Sequence, residues 1–313
     1  MIITVTPNPA IDRTVVLDEL KRGQINRAKR SLTNLGGKGI NVAKDIAALR
    51  GETKCLGFLG EKDNFALEYL KNLGIQSDFT LIKNRIRTNT KLIEEGTSVY
   101  TDINEPGPEI SPEEEKNLFE KIKLWAPKAG VMVLAGSLPA GIVSDFYKRV
   151  ILETKATRIK VILDAEKDAL NHGMEAGPYM IKPNIDELSG VVNKKLESFE
   201  DIIHESLNLI QKGIHIVAVS MGSRGSLTVT SKKAYLVPPM DIKVKNTVGA
   251  GDAMVAGFAL ALDRGLDVKE AVRMAAAASS ASITREGTVP LAISTFEDLL
   301  PKVKITEISL EER

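Results

Sequence analysis

The sequence predicts an α/β fold: a mostly parallel central sheet with helices on both faces, accompanied by a small β-sheet lid. Three observations carry that prediction. From residue 106 onward, short apolar runs alternate with amphipathic stretches of helical period, the pattern of a parallel sheet wound with helices. Residues 249–264 and 267–284 are apolar around most of their circumference, as suits helices buried against a sheet and each other. In contrast, Arg87-Thr88-Asn89-Thr90-Lys91-Leu92-Ile93 alternates only partially and is largely polar, which suits a ribbon over a wet site better than a core strand.

Taken in order, residues 1–6 read as a short buried strand ended by Pro7 and Pro9. Asp12 follows at once, and residues 13–17 form a second extended stretch. The basic segment 21–30 reads on charge alone as a solvated loop. Three glycines at 36, 37 and 39 then enter a helix that runs to about residue 49. Residues 53–59 read as a strand and 64–73 as a helix stopped by Gly74. Extended pieces follow at 79–82, 88–93 and 98–103, and segments 12–30 and 85–105 together make the lid. Ser111 as N-cap, Pro112 at the first position and Glu113 and Glu114 in the first turn start the next helix. Strands at 131–135, 160–163, 179–182 and 215–219 then alternate with helices at 142–155, 166–172, 184–192 and 198–212, and a short β region reaches residue 245. No repeat or linker divides the chain, so residues 1–313 are expected to form one α/β domain carrying the lid.

Composition narrows the function. Lys and Arg number 42 against 41 Asp and Glu, a net charge of +1, which gives no reason to expect nucleic acid or an anionic membrane as partner. Aromatics at 4% offer few stacking platforms, so a small-molecule partner is expected. The one cysteine, Cys55, excludes an intrachain disulfide and sits in an apolar run, where it reads as a small buried hydrophobe in a reducing compartment. The N-terminus lacks a basic signal-peptide region, and no apolar run is long enough to span a bilayer, so a cytoplasmic location is expected. His172, His204 and His215 are scattered, and neither a Ser/His/Asp set nor a Cys-based metal site can be drawn.

The chemistry concentrates where strands end and helices begin. In Asn246-Thr247-Val248-Gly249-Ala250-Gly251-Asp252, two glycines precede a carboxylate that opens a buried helix. Helix-start amides and the dipole favour an anion, glycines allow it close, and Asp252 is placed to take a proton from a hydroxyl attacking a bound phosphate. The entry Gly36-Gly37-Lys38-Gly39-Ile40-Asn41 is neither a P-loop nor a dinucleotide fingerprint, but it brings a cation and an amide side chain to a helix start. In a parallel sheet, ligands gather at the carboxyl ends of strands, here Gly136-Ser137, Asp164, Lys182-Pro183-Asn184 and Ser220-Met221-Gly222. Asn184 and Glu187 admit two readings, a capping box or a role toward Mg2+ and phosphate.

The pair of segments 36–41 and 246–252 resembles the two signatures of the PfkB (ribokinase-like) carbohydrate kinases, and the resemblance covers essentially the whole chain. It implies a ribokinase-like fold and ATP-dependent phosphorylation with Mg2+. Thr4-Val5-Thr6-Pro7-Asn8-Pro9-Ala10-Ile11-Asp12, the ribbon from Arg87 to Lys91, Gly107-Pro108-Glu109-Ile110 and Gly136-Ser137-Leu138-Pro139 are most similar to members acting on fructose 1-phosphate, with the tagatose 6-phosphate kinases as near neighbours. The implied reaction is phosphorylation of the 6-hydroxyl of fructose 1-phosphate. Tagatose 6-phosphate or fructose 6-phosphate, phosphorylated at position 1, are the alternatives, and a non-catalytic sugar-phosphate or nucleotide sensor is a remote one.

By the same resemblance Asp252 is the catalytic base, and Gly249, Ala250 and Gly251 hold the transferring phosphate. Asp12, Gly37, Lys38 and Asn41 bind the sugar. Arg87, Lys91 and Ser137 receive its phosphate, joined by Arg27 from the same or a neighbouring chain. Lys182, Asn184, Glu187, Ser220, Gly222, Gly225 and Thr247 form the nucleotide side, with Asn184 and Glu187 acting on Mg2+ through water. A homodimer through the lid is implied. Two stretches depart from the family pattern: Pro7 replaces a leucine, and Ala165-Glu166-Lys167 replaces small residues after Asp164, so Asp164 is given no role.

Overall fold

Ile2–Thr6 (β1) is buried at every position, its isoleucines and valine together with Thr4 and Thr6. The computed structural model describes residues 1–97, 99–285 and 287–310; Ser98, Glu286 and residues 311–313, all inside the expected single domain, lie outside them. After β1 come β2 (Ala10–Leu17), β3 (Arg30–Gly36), helix α1 (Lys38–Ala48), β4 (Thr53–Gly60), α2 (Asn64–Asn72), β5 (Gln76–Ser77), β6 (Thr80–Ile82), β7 (Arg87–Glu94) and β8 (Val99–Asn104). Strands and helices then alternate through α3 (Pro112–Trp125), β9 (Val131–Ala135), α4 (Phe146–Thr154), β10 (Lys160–Asp164), α5 (Lys167–Glu175), β11 (Met180–Ile181), α6 (Ile185–Val192), α7 (Phe199–Gln211) and β12 (Ile216–Ser220). The chain continues with β13 (Ser226–Val229), β14 (Lys233–Val237), α8 (Ala250–Asp263), α9 (Val268–Ser282), α10 (Ile293–Leu299) and β15 (Thr306–Ser309).

The large sheet runs β15-β14-β13-β12-β11-β10-β9-β1-β4-β5, with β6 also paired to β4. Pairings from β12 through β5 are parallel, and β12 to β15 form an antiparallel edge. Period-2 alternation sorts the strand residues onto two faces. Ile3, Val5, Met132, Leu134, Val161, Leu163, Val217 and Val219 pack in a core with residues of α3 to α7. Ile2, Val131, Val133, Ile162, Ile216 and Ala218 pack on the other side with α1, α8, α9 and α10. Helices therefore cover both faces, as the apolar runs predict. Gly257 allows α8 and α9 to touch, since a Cβ there would lie 2.6 Å from Ala275 Cα.

The small sheet has the order β3-β2-β7-β8. Arg30–Gly36 is a strand of it, where the basic stretch and the glycine entry predict none; its first four residues are exposed, so no apolar alternation marks it. The extended piece at 79–82, outside the lid segments, pairs with β4 of the large sheet as β6. Helix α10 and the edge strand β15 lie beyond the elements expected from periodicity. Among the described residues, no helix is long and apolar enough to cross a membrane.

Candidate active site

The parallel strands end along one edge, and the small sheet faces that edge across a cleft of about 720 Å³. Asp164 at the end of β10, Lys182 and Asn184 after β11 and Ser220 at the end of β12 line it from the large sheet. Asp12, Arg87, Asn89 and Lys91 line it from the small one. The starts of α1 and α8 complete the wall with Gly37, Lys38, Asn41, Gly249, Gly251 and Asp252.

Helix α8 begins at Gly249, whose φ of 84° is the left-handed conformation that glycine adopts without strain. A Cβ on Gly249 would meet nothing within 4 Å, so the helix start is open to a ligand. A Cβ on Gly251 would lie 3.2 Å from Lys182 Nζ, so glycine here lets the ammonium sit over the first turn. Asp252, in that turn, is 8% exposed and accepts a 2.9 Å hydrogen bond from Asn41 Nδ2. Burial pushes its pKa up to about 6, helped by the charge of Asp164 and opposed by the Asn41 hydrogen bond and by Lys38 and Lys182. The carboxylate is thus ionised at neutral pH yet poised close to it, as a general base requires.

Opposite it lies a polar cluster. Asp12 accepts from Asn89 Nδ2 at 3.1 Å and from the Thr288 hydroxyl at 3.3 Å. Lys38 Nζ lies 3.0 Å from Glu166 and 3.5 Å from Asp164. Burial pulls the Lys38 pKa down, but the charges of Asp164 and Glu166 outweigh it and hold the group above its ordinary value. Arg87 donates to the carbonyls of Glu105 and Asn8 at 3.3 Å each, and burial lowers its pKa. Lys91 pairs with Asp102 at 3.6 Å. Three buried polar atoms among these residues, Asn41 Oδ1, Asn89 Oδ1 and Arg87 Nε, have no partner among the described residues. Buried polar groups are rarely left so, and these suit a hydroxyl-rich or anionic ligand.

On the far side, Asn184 and Glu187 form the capping box: Glu187 N–H donates to Asn184 Oδ1 and Asn184 N–H donates to Glu187 Oε2, each at 2.8 Å. Each residue commits one oxygen, which leaves Glu187 Oε1 for a water of a hydrated cation. No cluster of three or more His, Cys, Asp or Glu exists among the described residues. A nucleotide-borne Mg2+, which keeps most of its waters and needs few protein oxygens, fits this donor set. Ser220 pairs with Asn184 in a parallel bridge at the cleft, while Gly222 and Gly225 lie in the turn beyond it, outside the cleft wall.

Not every candidate comes together. Arg27 is exposed in the loop between β2 and β3, and Ser137, Thr247 and Ala250 are also outside the cleft wall. Ser137 Oγ accepts from Asn8 Nδ2 at 3.2 Å, behind Arg87. Three residues without an expected role line the cleft, Asp164, Asn89 and Thr288, and Glu166 reaches it only through its 3.0 Å ion pair with Lys38. Asp164 is 1% exposed and lies 3.5 Å from both Lys38 Nζ and Lys182 Nζ. Its position at a strand's carboxyl end is the signal for it. Asn89 is flagged by the polarity of its ribbon, whereas Thr288 follows the last predicted helix and has no signal.

The profile of the pfkB family carbohydrate kinases matches residues 6–294. The 1-phosphofructokinase of Bacillus subtilis (strain 168) is 33% identical over 313 residues, spanning 98% of this chain and 100% of that protein. That of Borreliella burgdorferi is 34% identical over 317 residues, spanning 100% and 99%. The crystal structure of phosphofructokinase-2 from Escherichia coli in complex with fructose-6-phosphate superposes with a TM-score of 0.90 at 26% identity, covering 96% of this chain and 98% of that one. The paired glycine-rich helix starts that face each other through Asn41 and Asp252 therefore sit in a fold and a sequence with full-length relatives, and the chain belongs to the pfkB family of carbohydrate kinases.

Proposed function

We propose that the protein catalyses the 1-phosphofructokinase reaction, transfer of the γ-phosphoryl group of ATP to the 6-hydroxyl of D-fructose 1-phosphate. The observation that carries this reading is Asp252, a buried carboxylate in the first turn of α8, bonded to Asn41 and facing a cationic and hydrogen-bonding cluster across the cleft. The hydroxyl oxygen attacks the γ-phosphorus, the bond to the β–γ bridging oxygen breaks, ADP leaves, and the hydroxyl proton passes to Asp252. Asp12, Gly37 and Asn41 hold the sugar. Lys38, Arg87 and Lys91, with Ser137 and Arg27 as outer contributors, receive its existing phosphate. The amides of Gly249, Ala250 and Gly251 take the transferring phosphoryl group, and Lys182, Asn184, Glu187, Ser220, Gly222, Gly225 and Thr247 bound the nucleotide side. When bound with ATP, Mg2+ neutralises charge on the phosphates, and Asn184 and Glu187 would hold its waters.

Residues 1–313 act in this reading as one cytoplasmic domain with its lid. The lid pairs with a second copy: Leu32 and Tyr100 leave apolar surface exposed on its cleft-side face, and a tetrameric inhibited form is described for the Escherichia coli phosphofructokinase-2. A second reading, fructose 6-phosphate as acceptor, is favoured by the fructose-6-phosphate complex of that same relative. The deciding experiment measures kcat/KM for fructose 1-phosphate, tagatose 6-phosphate and fructose 6-phosphate by coupled ADP formation. A preference for fructose 1-phosphate of at least tenfold supports the first reading, and preference for another sugar replaces it. Sugar binding without sugar-dependent ADP release would reduce the protein to a sensor.

A further inference from the structure

Helix α1 carries two charged side chains that face neither the cleft nor solvent: Lys44 is 2% exposed and Asp45 5%. The Lys44 ammonium donates to the carbonyl of Leu35 at 2.9 Å and to that of Thr288 at 2.7 Å. Asp45 Oδ1 accepts from the Leu291 N–H at 2.9 Å. Both residues thus hold the segment 288–291, which follows α9 and has no secondary structure of its own. Holding charged groups inside a protein is costly, and here burial pushes the Lys44 pKa down and that of Asp45 up to about 7. Two such groups on one loop indicate that the loop's position matters.

The same loop reaches the site twice. The Thr288 hydroxyl donates to Asp12 Oδ2, and the neighbouring Gly287 carbonyl accepts from Asn246 Nδ2 at 3.3 Å, just ahead of the α8 start. The other Asp12 oxygen is taken by Asn89 of the lid. Helix α1 therefore holds Asp252 directly through Asn41 and holds Asp12 indirectly, from Lys44 to Thr288 to the carboxylate. We propose that Lys44 and Asp45 are positioning residues for the acceptor: by tethering residues 288 and 291 to α1 they fix the Thr288 hydroxyl against Asp12 and so align the sugar with Asp252. This rests on the reading above that Asp12 binds the sugar.

The test is a double-mutant cycle of Lys44→Met and Thr288→Val, read as KM for the best acceptor of the sugar panel, with KM for ATP and Tm measured alongside. A wrong choice of sugar alters the panel, whereas the cycle reports only on the relay. Lys44→Met and Thr288→Val are each expected to raise the sugar KM about tenfold, with KM for ATP changed less than threefold, and the double variant to be no worse than the poorer single. A folded Lys44→Met with sugar KM within twofold of wild type, or single effects that multiply in the double variant, would overturn the proposal. If Lys44→Met does not fold, Asp45 carries the test. Asp45→Asn keeps an acceptor for the Leu291 N–H and should leave sugar KM within threefold. Asp45→Leu removes the acceptor and should raise it about tenfold, and a folded Asp45→Leu with wild-type sugar KM refutes the tether.

Discussion

Replacing Asp252 by Asn isolates the proposed base. The amide has nearly the same shape and still offers an oxygen to Asn41 Nδ2, so the 2.9 Å contact and the α8 start are retained. What is lost is a carboxylate able to take the hydroxyl proton. A positioned general base contributes about 10²–10⁴-fold, or roughly 3–5 kcal/mol at 1.36 kcal/mol per tenfold, and kcat should fall by that factor. The nucleotide side is left intact, so ATP affinity by calorimetry should stay within about threefold of wild type. The pH profile adds a second reading. Burial, reinforced by the charge of Asp164, raises the Asp252 pKa to about 6, and the base works only when unprotonated. In the wild type kcat/KM should therefore fall below pH 6, to about a tenth at pH 5, because one unit below a pKa leaves about a tenth of the group ionised. The Asn variant should lack this acid limb. Turnover within tenfold of wild type, or an unchanged acid limb in the variant, would refute the assignment.

Arg87→Ala should raise KM for the sugar phosphate by about tenfold to a hundredfold, since hydrogen bonds to charged groups contribute roughly 1.5–3 kcal/mol, with KM for ATP little changed; an unchanged sugar KM would remove Arg87 from the phosphate subsite. Gly257→Ala forces a Cβ to within 2.6 Å of Ala275 Cα, and overpacking of this kind costs about 1–3 kcal/mol, so Tm should drop by at least about 2 °C in calorimetry. Asp45 has a folded pKa raised to about 7, so the native state binds the extra proton, and its contribution to stability is present at low pH and lost as pH rises through 7. Asp45→Asn keeps the acceptor and removes the ionisation, so its Tm relative to wild type should increase between pH 5 and pH 8; a constant difference would argue against an ionising Asp45.

Legibility followed how much of each feature is stored locally. Val131–Ala135 is buried on both faces and so must be apolar throughout, and its five-residue length separates it from a helix without reference to any neighbour. Arg30–Gly36 shows the opposite case: it is a strand because β2 pairs with it from Val16 to Ala10, and a strand with four exposed leading residues carries no period of its own. The site divides in the same way. Gly249 and Gly251 are readable because a left-handed φ at 249 favours glycine and the lack of a side chain at 251 leaves room for the Lys182 ammonium, next to the carboxylate they serve. Asn184 and Glu187 are readable but ambiguous, because a capping box uses one oxygen of each and leaves the other chemistry open. Asp164 is marked by its strand-end position, but its contacts with Lys38 and Lys182 are not; Thr288 and Lys44 escape altogether because their roles arise only from contacts across the fold, Thr288 meeting Asp12 over 276 positions of sequence. The competence of the base belongs to this second class. Asp252 stands in a local motif, but its pKa is set by burial, by Asp164 at the end of β10, by Asn41 and Lys38 on α1 and by Lys182 after β11. The motif names the atom that takes the proton, and the packing of α1 and α8 against β10 determines the pH at which it can.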